Sequence, residues 1–129
     1  MHKVYSIGYL TPGSQDRLQA LVKAGCIILD IRKRAGSRYR PEFSGKRLTE
    51  RYGEAYQRCK ALGNENYQVP NAPHRLVDPE FGIRELVAWL VTHDIVLLCK
   101  CTAFETCHSS TVVALLRATC PDVEVVRLP

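Results

Sequence analysis

The amino-acid sequence predicts one three-layer α/β/α domain over residues 1–129, with a mostly parallel sheet of about four or five strands. Short apolar runs typical of buried strands alternate with helical patterns from one end of the chain to the other. The runs at 26–31 and 95–98 are almost continuously apolar, as expected of strands covered on both faces of a parallel sheet. A chain of 129 residues can also bury a core without disulfides or metals.

The first part of the chain contains the patterns of two strands and one helix. Residues 4–7 form a short apolar run typical of a buried strand. Turn and capping residues at 11–14 precede apolar positions at helical spacing, and Gly25 ends that pattern. The apolar run at 26–31 predicts the second strand.

A basic segment follows at 32–51. The chain has a net charge of +5, and this segment contributes eight basic residues: Arg32, Lys33, Arg34, Arg38, Arg40, Lys46, Arg47 and Arg51. Its glycine, serine and proline residues predict a long loop rather than a helix or a strand. A phosphate-bearing ligand is the partner that suits this charge, with nucleic acid as one candidate.

The middle of the chain contains further patterns. Residues 48–60 have helical spacing, residues 67–70 predict a short strand, and the prolines at 71–74 predict a loop. Asp78 followed by Pro79 is typical of a helix start. The apolar stripe of that helix consists of Ile83, Leu86, Val87 and Leu90.

The last part of the chain repeats the order of strand, helix and strand. Residues 95–98 predict a buried strand that opens into a cysteine-rich turn at 99–110. The helix after this turn has apolar positions at Val112, Val113, Leu115 and Leu116. Residues 123–128 predict the final strand. Because the carboxyl ends of parallel strands meet at one edge of the sheet, we expect the residues that follow each strand to converge there.

Several classes of protein are disfavoured by the sequence. No apolar run approaches the roughly 20 residues of a membrane span. The first residues enter a strand pattern without the features of a signal peptide, so we expect a cytoplasmic protein with reduced thiols and no membrane partner. Carboxylates near the predicted edge are few, which disfavours a two-metal nuclease or phosphatase. The oligomeric state is left open.

The residues expected at this edge that are candidates for catalysis are Cys99, Cys107, His108 and Asp30. A helix start favours the reactive thiolate form of a cysteine, and His108 beside Cys107 is a candidate general acid or base. Cys99 and Cys107 are candidates for a nucleophile or a redox pair, and Asp30 for an orienting group. The alternative is that these thiols are structural, as we expect of Cys26, Cys59 and Cys120.

The candidates for binding an anion share the same edge: Gly8, Tyr9, Arg32, Ser37, Arg38 and Arg40. Arginine pairs with phosphate through two parallel hydrogen bonds, which suits this role. Two simpler interpretations stay open. Asp30 and Arg32 pair only to organise the loop, or the basic segment is a solvated face.

The cysteine-rich turn also contains the ligand types of a zinc site: Cys99, Cys101, Cys107 and His108. The Cys-x2-Cys spacing that is usual in structural zinc sites is missing. We therefore expect neither a metal nor a cofactor.

A series of short motifs spans almost the whole chain. In order they are Ser6-Ile7-Gly8-Tyr9, Leu29-Asp30-Ile31-Arg32, Ser37-Arg38, Pro41-Glu42-Phe43, Leu62-Gly63-Asn64, Leu98-Cys99 and Cys107-His108. This order and spacing resemble the family catalogued as domain of unknown function 488. The resemblance implies an uncharacterised α/β domain rather than an established activity. The family's last motif commonly continues with arginine where this chain has Ser109, so Arg32 and Arg38 are the remaining candidates for an anion clamp.

A looser similarity, carried by two strand ends, is to rhodanese-like domains. Asp30 and Arg32 resemble the Asp-x-Arg end of one strand in those domains, and Cys99 resembles their sulfur-carrying cysteine. The loop after Cys99 is longer than the compact active-site loop of that group. This resemblance implies a carrier of persulfide sulfur.

These observations predict a small cysteine-dependent enzyme whose substrate carries phosphate, such as a nucleotide or nucleic acid. Two alternatives belong to other classes. One is a non-catalytic nucleic-acid-binding or regulatory module with structural thiols, and the other is a rhodanese-like sulfur carrier.

Overall fold

The protein has a five-stranded parallel sheet in the order β3-β2-β4-β1-β5. A computed structural model describes residues 2–37, 39–69, 71–100 and 106–128. The strands are β1 (Val4–Gly8), β2 (Ile27–Asp30), β3 (Tyr56–Arg58), β4 (Ile95–Cys99) and β5 (Val125–Arg127). All pairings between neighbouring strands are parallel, which confirms the predicted α/β class and sheet.

Helices cover both faces of the sheet. They are α1 (Ser14–Lys23), α2 (Gly45–Tyr52), α3 (Pro79–Leu90) and α4 (His108–Thr119). On one face, Leu18 of α1 and Leu48 of α2 pack with Ile28 of β2. On the other face, Leu86 of α3 and Val112 of α4 pack with Leu29 of β2. Because alternate residues of a strand point to opposite faces, β2 contributes to two apolar layers and is buried throughout.

Strand β4 lies at the centre of the sheet, and all of its residues are buried. Its continuous apolar run matches that position, since neither face is open to water. The predicted start of α3 is also confirmed. The Asp78 carboxylate accepts a hydrogen bond of 3.3 Å from the backbone N–H of Phe81, and Pro79 occupies the first turn.

The single helix predicted over 48–60 is wrong. Helix α2 ends at Tyr52, a short 3-10 turn spans Gly53–Ala55, and β3 follows as the edge strand. Gly53 has a φ of 56°, a backbone conformation outside the right-handed helix that glycine adopts readily. The chain therefore leaves the helix at this glycine, and Tyr56 enters the core.

Two further predictions of loop and strand need correction. The basic segment is not a loop throughout, because a 3-10 turn forms at Pro41–Phe43 and α2 begins at Gly45. The Ser44 side chain caps α2 by accepting a hydrogen bond from the backbone N–H of Arg47.

The short strand predicted at 67–70 is wrong for 67–69, which form turns, and Pro70 lies outside the described residues. A local hydrogen bond of 3.0 Å from the N–H of Val69 to the carbonyl of Asn66 replaces the ladder of a strand.

Within the described ranges, none of the helices has the length and apolar character needed to cross a membrane.

Candidate functional site

The carboxyl ends of three neighbouring strands meet at one edge of the sheet. Gly8 at the end of β1 lies opposite Cys99 at the end of β4. Asp30 at the end of β2 lies opposite Leu98. The backbone N–H of Tyr9 donates to the carbonyl of Cys99 at 2.9 Å. The predicted convergence of residues far apart in sequence is therefore present.

A buried ion pair is the centre of this edge. The Asp30 side chain is fully buried and faces the Arg32 guanidinium, which donates through Nε to Oδ1 at 2.8 Å and through Nη2 to Oδ2 at 2.6 Å. The backbone N–H of Arg32 adds a hydrogen bond of 3.1 Å to Oδ1. Two parallel charge-assisted bonds fix the plane of the guanidinium as well as its position.

Strand β3 supplies two further groups to the Asp30 carboxylate. The Tyr56 hydroxyl donates to Oδ2 at 2.5 Å, and Arg58 Nη1 lies 3.5 Å from Oδ1. Burial, together with the neighbouring Asp30, raises the pKa of the Tyr56 phenol, so this group remains a donor. Arg58 also donates to the carbonyls of Arg32 at 2.7 Å and Lys33 at 3.1 Å. Asp30 therefore orders the strand end and the start of the basic segment.

The Arg32 guanidinium has one nitrogen left over. Its Nη1 is buried and has no hydrogen-bond partner within the part of the chain that the structure describes. The guanidinium lies 5.3 Å from the centre of the Tyr9 ring, which stacks on Phe43 at a centroid distance of 5.1 Å. A buried N–H group without a partner is costly, so an anionic oxygen at this point would be stabilised.

The cysteines of the predicted site meet beside this ion pair. Cys99 ends β4, Cys107 is the residue before α4, and their Sγ atoms are 3.0 Å apart. Cys107 is disulfide-bonded in this structure, which differs from the reduced thiol expected from the sequence. Cys99 lies 3.7 Å from the Ser109 hydroxyl and 3.7 Å from the carbonyl oxygen of Ile7.

The orientation of His108 follows from one hydrogen bond. Its Nε2 lies 2.8 Å from the carbonyl oxygen of Ile31, which only accepts, so Nε2 carries the proton. The unprotonated Nδ1 then faces the sulfur of Cys107 at 4.0 Å. Burial lowers the pKa of His108, so the imidazole is neutral near neutral pH. This tautomer can accept a proton at Nδ1.

The remaining candidates for anion binding have other contacts. The Ser37 hydroxyl accepts a hydrogen bond of 3.0 Å from the backbone N–H of Arg40. The Arg40 guanidinium donates to Glu42 at 2.5 Å and to the carbonyl of Tyr9 at 3.3 Å. Arg38 lies outside the described residues. Arg40 and Arg32 are each paired with a carboxylate, and Arg32 differs in having its buried Nη1 without a hydrogen-bond partner among the described residues.

Exposed residues of the basic segment lie apart from the buried centre. Tyr39 is 74% exposed, and the exposed cations among the described residues of the segment are Arg34, Lys46, Arg47 and Arg51. A cavity of about 460 Å³ opens between Pro41 and helix α2 and is lined by both signs of charge, from Glu42, Arg47, Glu50 and Arg51. The buried site residues do not line this cavity.

The contacts of four residues of the site were not predicted from the sequence. Tyr56 and Arg58 fell within a predicted helix; Tyr56 was a candidate for stacking on a base or covering the edge of the core, and neither residue was expected to contact Asp30. Ser109 was considered only as the residue that follows the motif Cys107-His108, and it contacts Cys99. His74 packs edge-on against His108 with ring centres 6.5 Å apart.

Of the four candidate zinc ligands, Cys99, Cys107 and His108 are described by the structure, and Cys101 lies outside the described residues. Among the residues that are described, no group of three or more His, Cys, Asp or Glu side chains is arranged to hold a metal ion.

Comparisons with known proteins agree with the motifs. The family model described as "Domain of unknown function DUF488" matches residues 16–116 of the 129. No curated protein and no solved structure matches the chain. The matched range contains the Asp30 pair and both cysteines of the site. Since the match covers well over half of the sequence, the chain belongs to the DUF488 family.

Proposed function

We propose that this protein is a cysteine-dependent enzyme that acts on a phosphate-bearing substrate at the carboxyl edge of its sheet. In the reduced protein, Cys107 is the reacting sulfur and His108 carries its proton. Arg32 binds an oxygen of the phosphate, and Asp30 orients Arg32.

The observation that carries this proposal is the fixed tautomer of His108. A catalytic cysteine requires a base within reach and a third group that orients that base. The carbonyl of Ile31 holds Nε2–H, which leaves the lone pair of Nδ1 facing Cys107. Cys107 also lies at the start of a 12-residue helix, where the helix dipole favours negative charge on sulfur.

The unpartnered Nη1 of Arg32 supports a phosphate in the substrate. Arg32 keeps its side chain in place through Asp30, so its remaining N–H group is preorganised for an incoming oxygen. The contacts also connect the two parts of the site. Tyr9 lies against Arg32 and is hydrogen-bonded to the backbone of Cys99, while His108 is bonded to Ile31, which precedes Arg32.

In the fully reduced protein, Cys107 should be alkylated faster than Cys26 and Cys59 near neutral pH. All three cysteines are buried, and Cys107 differs in having the His108 imidazole beside it; burial raises the pKa of Cys26 to about 11 and that of Cys59 to about 12, so those thiols are rarely ionised. Replacement of the base in His108→Gln should slow alkylation of Cys107 roughly tenfold or more. Iodoacetamide labelling followed by mass spectrometry of the peptides measures each rate separately.

The control for this experiment is His93→Gln, which removes an imidazole that packs on Trp89 away from the site. It should leave the rate at Cys107 unchanged. Equal and slow labelling of the three cysteines would contradict the proposal and favour structural thiols. An unchanged rate in His108→Gln would remove the proposed role of the imidazole.

Arg32→Lys should weaken the binding of inorganic phosphate by about tenfold, because one charge-assisted hydrogen bond contributes about 1.5 kcal/mol or more. Lysine retains a positive charge for Asp30, but its donors are all on one nitrogen, so it cannot bond both oxygens of Asp30 and a phosphate oxygen in the way that the planar guanidinium can. Isothermal titration calorimetry with the full chain measures the dissociation constant, and circular dichroism verifies that the variant is folded.

Arg84→Lys is the matched control, since Arg84 is exposed on α3 and its replacement should leave phosphate binding unchanged. Equal binding by Arg32→Lys and the wild type would exclude Arg32 as the phosphate ligand. A single-stranded oligonucleotide is a second probe. If the oligonucleotide binds at low salt and inorganic phosphate does not bind, the nucleic-acid-binding alternative is favoured, with exposed Tyr39 as its stacking residue.

A further inference from the structure

The sulfur atoms of Cys99 and Cys107 are close enough to react with each other. Cys107 is disulfide-bonded, and the Sγ atom of Cys99 lies 3.0 Å from its sulfur. Reacting atoms in a near-attack arrangement are about 3–3.5 Å apart. We propose that Cys99 is the resolving thiol of Cys107, meaning the thiol that attacks Cys107 whenever that sulfur is bonded to another sulfur. This inference rests on the proposed role of Cys107 as the reacting sulfur.

The reaction is a thiol–disulfide exchange. The thiolate of Cys99 attacks the sulfur of Cys107, and a bond forms between Cys99 and Cys107. The bond between Cys107 and its previous partner breaks, and the partner leaves as a thiolate. The proton lost by Cys99 is balanced by the proton that the released thiolate takes up. The number of disulfides is unchanged, so the step requires neither an oxidant nor a reductant.

Two polar groups contact the Cys99 sulfur. The carbonyl oxygen of Ile7 lies at 3.7 Å and accepts from the thiol, and the Ser109 hydroxyl lies at 3.7 Å and can donate to the thiolate. The Ser109 hydroxyl accepts a hydrogen bond of 3.4 Å from the hydroxyl of Ser6, which leaves its own proton available for Cys99. A hydroxyl that donates to sulfur stabilises the thiolate relative to the thiol. Ser109 therefore acts as a donor to Cys99.

Both sulfurs of the exchange are buried. Cys99 ends the central strand of the sheet and is 2% exposed, and Cys107 is 1% exposed, so a bulky thiol or disulfide from solution does not reach either of them in this conformation. Cys107 is its neighbour across the turn. The exchange therefore acts on the sulfur that is already bonded to Cys107.

The test follows the disulfides of the full chain over time. Reduced protein is oxidised with the small reagent diamide and incubated in mildly alkaline buffer. Samples are quenched with acid, labelled with N-ethylmaleimide and mapped by mass spectrometry, with Cys101, which lies outside the described residues, included in the map. In successive samples the labelled fraction of Cys99 should fall, and the labelled fraction of another cysteine should rise by the same amount. Cys107 should stay unlabelled in every sample. Cys99→Ser should abolish this redistribution.

The matched control is Cys59→Ser, which changes a buried cysteine outside the site and should behave as the wild type. Cys99→Ala, checked by circular dichroism, is the second variant and should also abolish the redistribution. If Cys99 stays labelled in every sample while Cys107 is protected, the exchange is overturned and the proposed function is not. If Cys107 itself stays labelled, both are overturned.

Discussion

Asp30→Ala should lower the free energy of unfolding by about 3–5 kcal/mol, the loss that typically follows removal of one partner from a buried ion pair. The Asp30 side chain is fully buried, and Arg32 is 6% exposed. Without the carboxylate, the Arg32 guanidinium keeps its charge but loses its counter-ion and two hydrogen bonds. The Tyr56 hydroxyl loses its acceptor in the same step. Chemical denaturation monitored by circular dichroism measures the change.

Two further variants test whether the loss of stability comes from removing the buried charge of Asp30. Asp30→Asn keeps the volume of the side chain but removes its charge, so it should show most of the same destabilisation. Asp122→Ala removes an exposed carboxylate in a turn and should change the free energy of unfolding by less than about 0.5 kcal/mol. A loss below about 1 kcal/mol in Asp30→Ala would show that the ion pair does not organise this edge.

The central strands could be predicted from sequence because their burial dictates their composition. Strand β4 is covered on both faces, and a continuous apolar run is the pattern of such a strand. The same reasoning predicts that Gly8, Asp30 and Cys99 meet, since it requires only that the strands be parallel. The structure places Gly8 opposite Cys99, as this reasoning requires.

The edge strand β3 could not be predicted in this way. It contains only Tyr56–Arg58, too few residues for a period to appear, and it follows directly after α2 and one 3-10 turn. Two of its three side chains bind Asp30, so tertiary contacts rather than local pattern determine its conformation. The sequence therefore indicated Arg32 as a partner of the Asp30 carboxylate but did not indicate Tyr56 or Arg58.

The side-chain geometry of the candidate site also could not be predicted from the sequence. From the sequence, His108 was a candidate general acid or base because it follows Cys107, whereas its tautomer depends on the carbonyl of Ile31, distant in sequence. The same holds for Arg40, whose basic character suggested a ligand for anions although Glu42 pairs with it. Charge and spacing identify the groups, and the fold determines which of them remain available.

The motif Leu62-Gly63-Asn64 lies against the start of the basic segment, and its packing there explains why it contains a glycine. Leu62 is fully buried, and the Asn64 side chain accepts a hydrogen bond of 3.0 Å from the backbone N–H of Arg75. Gly63 lies against the backbone of Lys33, the residue after Arg32. A Cβ atom at Gly63 would lie 2.6 Å from the Cα and 2.8 Å from the N of Lys33. Only glycine permits this approach without movement of the main chain.

Gly63→Ala should therefore lower the free energy of unfolding by about 3 kcal/mol, at the upper end of the usual cost of overpacking. The contacts are with backbone atoms, which cannot rotate away as a flexible side chain can. Because Arg58 holds the carbonyls of Arg32 and Lys33, displacement of Lys33 should also disturb the Arg32 guanidinium and weaken phosphate binding. Denaturation and phosphate titration of the same sample measure both effects.

Gly36→Ala is the matched control, because nothing lies within 4 Å of a Cβ atom built at Gly36. It should change the free energy of unfolding by less than about 0.5 kcal/mol and leave phosphate binding intact. If Gly63→Ala were as stable as Gly36→Ala, the segment around Gly63 would have room to move away from Lys33. The close approach would then not be what holds the basic segment beside the Asp30 pair, and the glycine of the motif would require another explanation.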